Sequence, residues 1–290
     1  MTRTVFLGTS EFAAAVLARL ADSPHRLQLV VTRPDRPAGR GRRLSAPPVA
    51  DGARALGLAL AQPENVNDEY ARAQIAAVAP DAVIVCAFGA LIREPLLSDH
   101  EMLNVHPSLL PRWRGAAPVE RAIMAGDEQT GVAIMRVTAG LDSGPVFRMG
   151  REPITGHDTY GTLRPRLQEL SADLLLHVLD ERPEPVEQTE DGVTYAEKIG
   201  PADRTLDAAV TAAVNDRVVR ALTPHIGARV ELADGSLLGV LRAAVREPDV
   251  AGELRVDGGR LLLGGLELLE VQPAGGRPMD AAAYLRGRAL

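Results

Sequence analysis

Apolar positions in the first half of the chain follow two rhythms. Mostly apolar runs at residues 4–7, 27–32 and 81–89 have the length and β-branched content of strands buried on both faces. Between them apolar side chains recur three and four apart, as at Phe12, Val16, Leu17 and Leu20, the spacing of one helix face, with Ser10 placed to cap that helix. Helical patterns at 48–56 and 68–78 bracket a weaker strand at 58–61. Asn104-Val105-His106 closes another strand, and a helix is predicted over 115–126, strands over 132–137 and 146–154, and a long helix over 158–179. This alternation predicts an α/β fold: a Rossmann-like, mostly parallel sheet with helices on both faces.

The rhythm then changes. Glu181-Arg182-Pro183-Glu184-Pro185 opens a polar stretch without periodicity, which reads as a connector. Past a predicted helix at 206–222, five short β-rich segments (228–232, 237–243, 252–256, 260–263 and 266–271) are separated by Asp-Gly or Gly-Gly turns, a pattern that predicts a small β-barrel. The expected organisation is a domain at 1–182, a linker at 183–203 and a second domain at 204–290.

Composition narrows the classes. With 290 residues and 46% apolar content, the chain can bury two cores. A single cysteine, Cys86, excludes an intrachain disulfide and gives no basis for a metal cluster. The first apolar run is too short for a signal peptide, and no stretch is long enough to cross a bilayer, so a cytoplasmic protein without a membrane partner is expected. The net charge of -6 speaks against a nucleic-acid binder only as a sum over the chain. Between Arg33 and Arg43 stand five arginines and one aspartate. A local basic loop can reach phosphate on an acidic molecule, because salt limits each charge to about 8 to 10 Å.

The candidate chemistry lies between Asn104 and Asp142. Asn104 and His106, two apart on a predicted strand, point to one face. Asp142 sits in a loop between Gly140 and Gly144 that can swing in beside them. An amide donor, an imidazole and a carboxylate are the groups needed to move protons and to stabilise an oxyanion at a carbonyl carbon. Ser108-Leu109-Leu110-Pro111 continues the strand as a proline-braced loop, and Phe88-Gly89-Ala90-Leu91-Ile92 follows the strand before it. Ligands in open α/β sheets bind beyond the carboxyl ends of strands, so both segments are expected at one pocket. Gly8-Thr9-Ser10-Glu11-Phe12-Ala13 lacks the Gly-x-Gly-x-x-Gly spacing, and Thr32-Arg33 stands where an acidic ribose ligand would be, which argues against NAD.

The run Asn104-Val105-His106-Pro107-Ser108-Leu109-Leu110-Pro111, with Arg112-Trp113-Arg114-Gly115-Ala116-Ala117-Pro118 after it and Gly140-Leu141-Asp142-Ser143-Gly144 downstream, resembles the formyltransferases that use 10-formyltetrahydrofolate. Thr194-Tyr195-Ala196-Glu197-Lys198-Ile199 resembles that family's interdomain linker, and Leu269-Glu270-Val271-Gln272-Pro273-Ala274-Gly275 the end of its C-terminal domain. The resemblance implies an OB-like C-terminal domain that binds tRNA. It also implies transfer of the formyl group of 10-formyltetrahydrofolate to the α-amino group of methionyl-initiator tRNA, for translation initiation. Asn104, His106 and Asp142 are then catalytic, while Ser108, Leu109, Leu110 and Pro111 line the folate pocket with Phe88, Gly89, Ala90, Leu91 and Ile92. In the loop at 33–43, Arg36, Arg40, Arg42 and Arg43 contact the charged tRNA. No metal and no NAD enter this reading, and a monomer is expected.

The nearest alternatives, formyltransferases for purine precursors or amino sugars and hydrolases of the same folate, share the catalytic set. The arginine loop and the C-terminal β-domain favour a tRNA. An RNA-binding protein without catalysis is disfavoured by an aromatic content of 3%, which leaves few platforms for stacking bases.

Overall fold

A computed structural model of the chain describes residues 1–38 and 43–286. In chain order the first part runs β1 (Arg3–Gly8), α1 (Glu11–Ala21), β2 (Arg26–Val31), β3 (Arg36–Ala38), β4 (Arg43–Ser45), α2 (Pro48–Ala55), β5 (Leu60–Ala61), α3 (Glu69–Ala77), β6 (Ala82–Cys86), α4 (Leu96–Asp99), β7 (Met102–His106), β8 (Arg114–Gly115), α5 (Pro118–Ala125), β9 (Gln129–Arg136), β10 (Val146–Pro153), α6 (Tyr160–Glu181) and β11 (Tyr195–Ala196). Seven of these strands form one sheet in the order β10-β9-β7-β6-β1-β2-β5. Pairings from β5 through β7 are parallel, and β9 is antiparallel to β7. The Rossmann-like, mostly parallel sheet expected from the alternation is present.

The centre of the sheet follows from side-chain chemistry. Val5, Phe6 and Leu7 of β1 are fully buried, as are Val83 and Ile84 of β6. A strand covered on both faces needs apolar side chains at every position, and each such burial contributes about 1.5 to 3 kcal/mol. Ser10 caps α1 by accepting from the Ala13 amide at 3.3 Å.

The described residues fall into two compact units: Met1–Arg114 with Gly131–Glu152 and Arg166–Tyr195, and Gly115–Thr130 with Pro153–Pro165 and Ala196–Leu290. In the second unit, α7 (Ala212–Leu222) packs on α5 and on β12 (Ala228–Glu231), β13 (Leu237–Val245) and β16 (Leu266–Gln272). With β14 (Leu254–Asp257) and β15 (Arg260–Leu263), these make an antiparallel sheet curled into a half-barrel, extended by β17 (Met279–Asp280) on β16; α8 (Ala281–Arg286) follows. All five expected strands are found. No helix among the described residues is long and apolar enough to cross a membrane.

Three local expectations change. The helix expected from 206 begins at Ala212, because the Asp207 carboxylate accepts from the Ala209 amide at 2.8 Å and Asn215 hydrogen-bonds both the Asp207 N–H and its C=O. These local bonds give the backbone an alternative to the helical ladder. The connector at 183–203 is partly ordered by pairing: Val186 bridges Val146, and Tyr195–Ala196 pairs with Arg114–Gly115. The arginine-rich loop begins and ends as a hairpin, with Arg36 opposite Ser45 and Pro37 opposite Leu44. Arg36 pairs with Glu64 at 2.9 Å. Arg40, Arg42 and the side chain of Arg43 lie outside the described residues.

His25 makes folding sensitive to acid. Its side chain is only 1% exposed, and Nδ1 accepts from the Thr2 amide at 3.3 Å. Burial holds the imidazole below its ordinary value; the amino-terminal ammonium and Arg182 push the same way, and Asp180 opposes them. A depressed folded-state value means that the unfolded chain binds the proton more readily. The stabilisation is therefore full above about pH 6.5 and is lost as pH falls through the lowered folded value. Thermal unfolding of His25→Gln between pH 7 and pH 5 should show a shallower loss of midpoint than the native chain. His100, held low by burial in the same direction, leaves a residual slope. Parallel pH dependences for the two proteins would remove His25 from this account.

Candidate active site

Strand alternation does what the sequence pattern requires of it. Asn104 and His106 lie on one face of β7, and the loop after β9 brings Asp142 to both. The Asn104 amide Nδ2 donates to Asp142 Oδ1 at 3.1 Å, and His106 Nδ1 lies 3.6 Å from Asp142 Oδ2. The His106 and Asp142 side chains are 5% and 16% exposed, so little water stands between them.

A fourth group completes the arrangement, and sequence reasoning missed it. His106 Nε2 lies 2.8 Å from the backbone oxygen of Trp113. A carbonyl can only accept, so Nε2 carries a hydrogen whatever the charge of the ring, and the proton that comes and goes is the one on Nδ1, beside Asp142. Nothing in the letters of the sequence marks a backbone carbonyl as functional. Trp113 does stand out in the structure, because it is a non-glycine residue at φ +64. Asp142, at φ +44, is a second. Asp is among the residues that tolerate this region best, and two such conformations at one site fit the tendency of strained backbone to gather where chemistry is done. The loop of Asp142 also depends on Gly144, where a Cβ would stand 2.0 Å from the Arg136 carbonyl oxygen.

Asn104 and Asp142 border a cleft of about 220 Å³ walled by Val85, Ala90, Leu91, Ile92, Met135 and residues 137–142, with His106 buried beside Asp142. Leu91 and Leu141 are 66% and 61% exposed, an amount of open apolar surface that a bound ring would cover. Of the nine residues expected to line a ligand pocket, the structure brings Ala90, Leu91 and Ile92 to this wall. Phe88 is buried in the core beside Val85 and Leu96, with its carbonyl accepting from Thr9 Oγ1 at 2.6 Å. Gly89 makes the turn between them at φ +72.

Ser108, Leu109, Leu110 and Pro111 are not part of this wall. Ser108 is fully buried and donates its hydroxyl to the Arg112 carbonyl at 2.7 Å. Leu110 packs with Ala133 and Met135, behind the Met135 that faces the cleft. Leu109 fits against Gly131, where a Cβ would meet its Cδ2 at 2.6 Å, and the Pro111 carbonyl accepts from the Thr194 amide. The motif braces the segment that holds the Trp113 carbonyl. Cys86 is fully buried and burial pushes its thiol up, so the reactive thiolate is suppressed there.

Comparison with known proteins agrees with this geometry. Residues 2–179 match the family model described as formyl transferase. The methionyl-tRNA formyltransferase of Halorhodospira halophila is 45% identical over 99% of this chain and 97% of its own. Among solved structures, methionyl-tRNA formyltransferase from Clostridium thermocellum superposes with a TM-score of 0.63 at 13% identity, covering 93% of this chain and 99% of that one. HypX from Aquifex aeolicus in complex with tetrahydrofolic acid gives 0.66 at 17% identity, over 98% of this chain and 47% of that one. At such identities the structural matches speak for the fold, whereas the family model and the full-length relative speak for descent: the chain belongs to the formyl transferase family, and within it to the methionyl-tRNA formyltransferases.

Proposed function

We infer that the protein transfers the formyl group of 10-formyltetrahydrofolate to the α-amine of methionyl-initiator tRNA, for translation initiation. The observation that carries the mechanism is the meeting of Asn104 and His106 at Asp142, beside the cleft that Asn104 and Asp142 line. As the amine nitrogen bonds to the formyl carbon, the formyl oxygen takes on negative charge. Asn104 has two amide hydrogens, one directed at Asp142, and the other is offered to that oxygen. His106 moves the proton through Nδ1, taking it from the attacking amine and returning it to the departing folate nitrogen. Asp142 Oδ2 stands 3.6 Å from the nitrogen that carries the proton between those two steps. An aminoacyl amine titrates below the roughly 7.7 to 8.0 of a free amino terminus, so no strong base is needed.

The apolar wall at Ala90, Leu91 and Ile92 receives the flat folate ring, and HypX, of the same fold, binds tetrahydrofolic acid. We assign Ser108 to Pro111 and Phe88–Gly89 to shaping that wall from behind. Residues 1–182 serve as the catalytic domain, 183–203 as the linker and 204–290 as a tRNA-binding domain, in a monomer acting in the cytoplasm. Arg36, with Arg40, Arg42 and Arg43, supplies the positive charge that meets tRNA phosphates.

His106→Ala should lower turnover with charged tRNA at least about 10²-fold, the scale of a lost general acid or base, with folate affinity retained in an equilibrium titration. Native turnover in that variant would sink the mechanism. Arg40→Ala should reduce formylation of charged tRNA about tenfold or more, and the native rate at subsaturating tRNA should fall steeply with added salt. A salt-independent rate would show that phosphate contacts do not govern substrate capture.

A further inference from the structure

The groups that aim His106 and Asp142 are both tied to one short segment. Gln188 donates both hydrogens of its amide nitrogen, to the Asp142 carbonyl at 2.9 Å and to the Gly144 carbonyl at 2.7 Å. Its amide oxygen accepts from Arg114 Nε at 3.1 Å and Nη2 at 2.9 Å. The orientation of the carboxamide is thereby decided, since only nitrogen can face two carbonyls and only oxygen can face a guanidinium. Arg114 is 4% exposed, so the bridge is anchored on a buried group. Six residues on, Thr194 Oγ1 accepts from the Trp113 amide at 2.9 Å, and the Thr194 carbonyl accepts from the Arg114 amide at 2.9 Å.

We propose that the segment from Gln188 to Thr194 is a strap whose two ends are positioning residues for formyl transfer: Gln188 holds the Asp142 loop, and Thr194 holds the two peptides that flank Trp113, whose carbonyl meets His106. The inference rests on the catalytic reading of His106 and Asp142 given above. Both residues that the strap grips directly, Asp142 at φ +44 and Trp113 at φ +64, are in backbone conformations that persist only where surrounding bonds impose them. Without Gln188, the Asp142 and Gly144 carbonyls each lose this donor, and the loop that sets the Asp142 carboxylate against Asn104 and His106 is held less tightly. Without the Thr194 hydroxyl, the Trp113 N–H loses this acceptor and the φ +64 that aims the following carbonyl at His106 is no longer imposed from that side. The folate wall at Ala90, Leu91 and Ile92 makes none of these bonds, so binding and turnover should separate.

Thr194→Val keeps the shape of the side chain and removes the acceptor, whereas Thr194→Ser keeps the acceptor. Gln188→Glu keeps an acceptor for Arg114 and removes both donors to the loop. In the full chain, Thr194→Val and Gln188→Glu should each lower kcat about tenfold or more, with KM for 10-formyltetrahydrofolate within about threefold of native. Thr194→Ser should stay within about twofold of native kcat. Thermal unfolding under assay conditions should show all three variants folded. Native kcat in Thr194→Val, an equal loss in Thr194→Ser, or a folate KM that rises in step with the fall in kcat would overturn the proposal. His106→Ala, assayed in parallel, separates the two readings: if it is inactive while Thr194→Val is native, the strap alone fails, and if it is native, both fail.

Discussion

Everything at the candidate site depends on β7 having a parallel neighbour on one edge and an antiparallel one on the other. The parallel edge with β6 leads the chain from Cys86 into the turn that carries Ala90, Leu91 and Ile92. The antiparallel edge sets Met135 opposite Asn104 and Ala133 opposite His106, and β9 then gives way to the loop that returns Asp142 to the same place. Because strand side chains alternate with a period of two, a slip of one residue in either pairing would turn Asn104 and His106 away from Asp142. The register is held by apolar positions that can only be inside: Met102, Leu103 and Val105 of β7 and Val132, Ile134 and Met135 of β9 are buried.

What could be read in the sequence was what depends on periodicity. The buried runs at β1, β2 and β6, the helix of Phe12, Val16, Leu17 and Leu20, and the short strands of the second unit each carry their pattern in their own letters. The shared face of Asn104 and His106 follows from the same rule. The glycines around Asp142 let its approach be expected, but the strained turn that fixes it and a carbonyl 2.0 Å from a missing Cβ at Gly144 are facts of tertiary structure. The Trp113 carbonyl was beyond reach for the same reason, as backbone atoms are common to all residues.

Where the pattern misled, local polar chemistry had the stronger hold. Asp207 and Asn215 draw residues 207–211 into a side-chain-bonded turn that apolar spacing reads as helix. Ser108 and Pro111, expected at the ligand pocket because they are polar or rigid and follow a strand, also bond to the protein's own backbone. In the structure Ser108 is fully buried and spends its hydroxyl on the Arg112 carbonyl, and the Pro111 carbonyl accepts from the Thr194 amide. A rigid loop can serve a site by being its frame.

Trp113 is the single tryptophan of the chain. Its indole lies under the Arg112 guanidinium, 4.3 Å from ring centre to charge, and its own peptide oxygen meets His106. An indole so placed emits according to the charge and the water around it, and no second indole dilutes the signal. The native chain therefore carries an optical reporter at the residue that aims the imidazole, able to follow ligand arrival or the straightening of that strained peptide without any label.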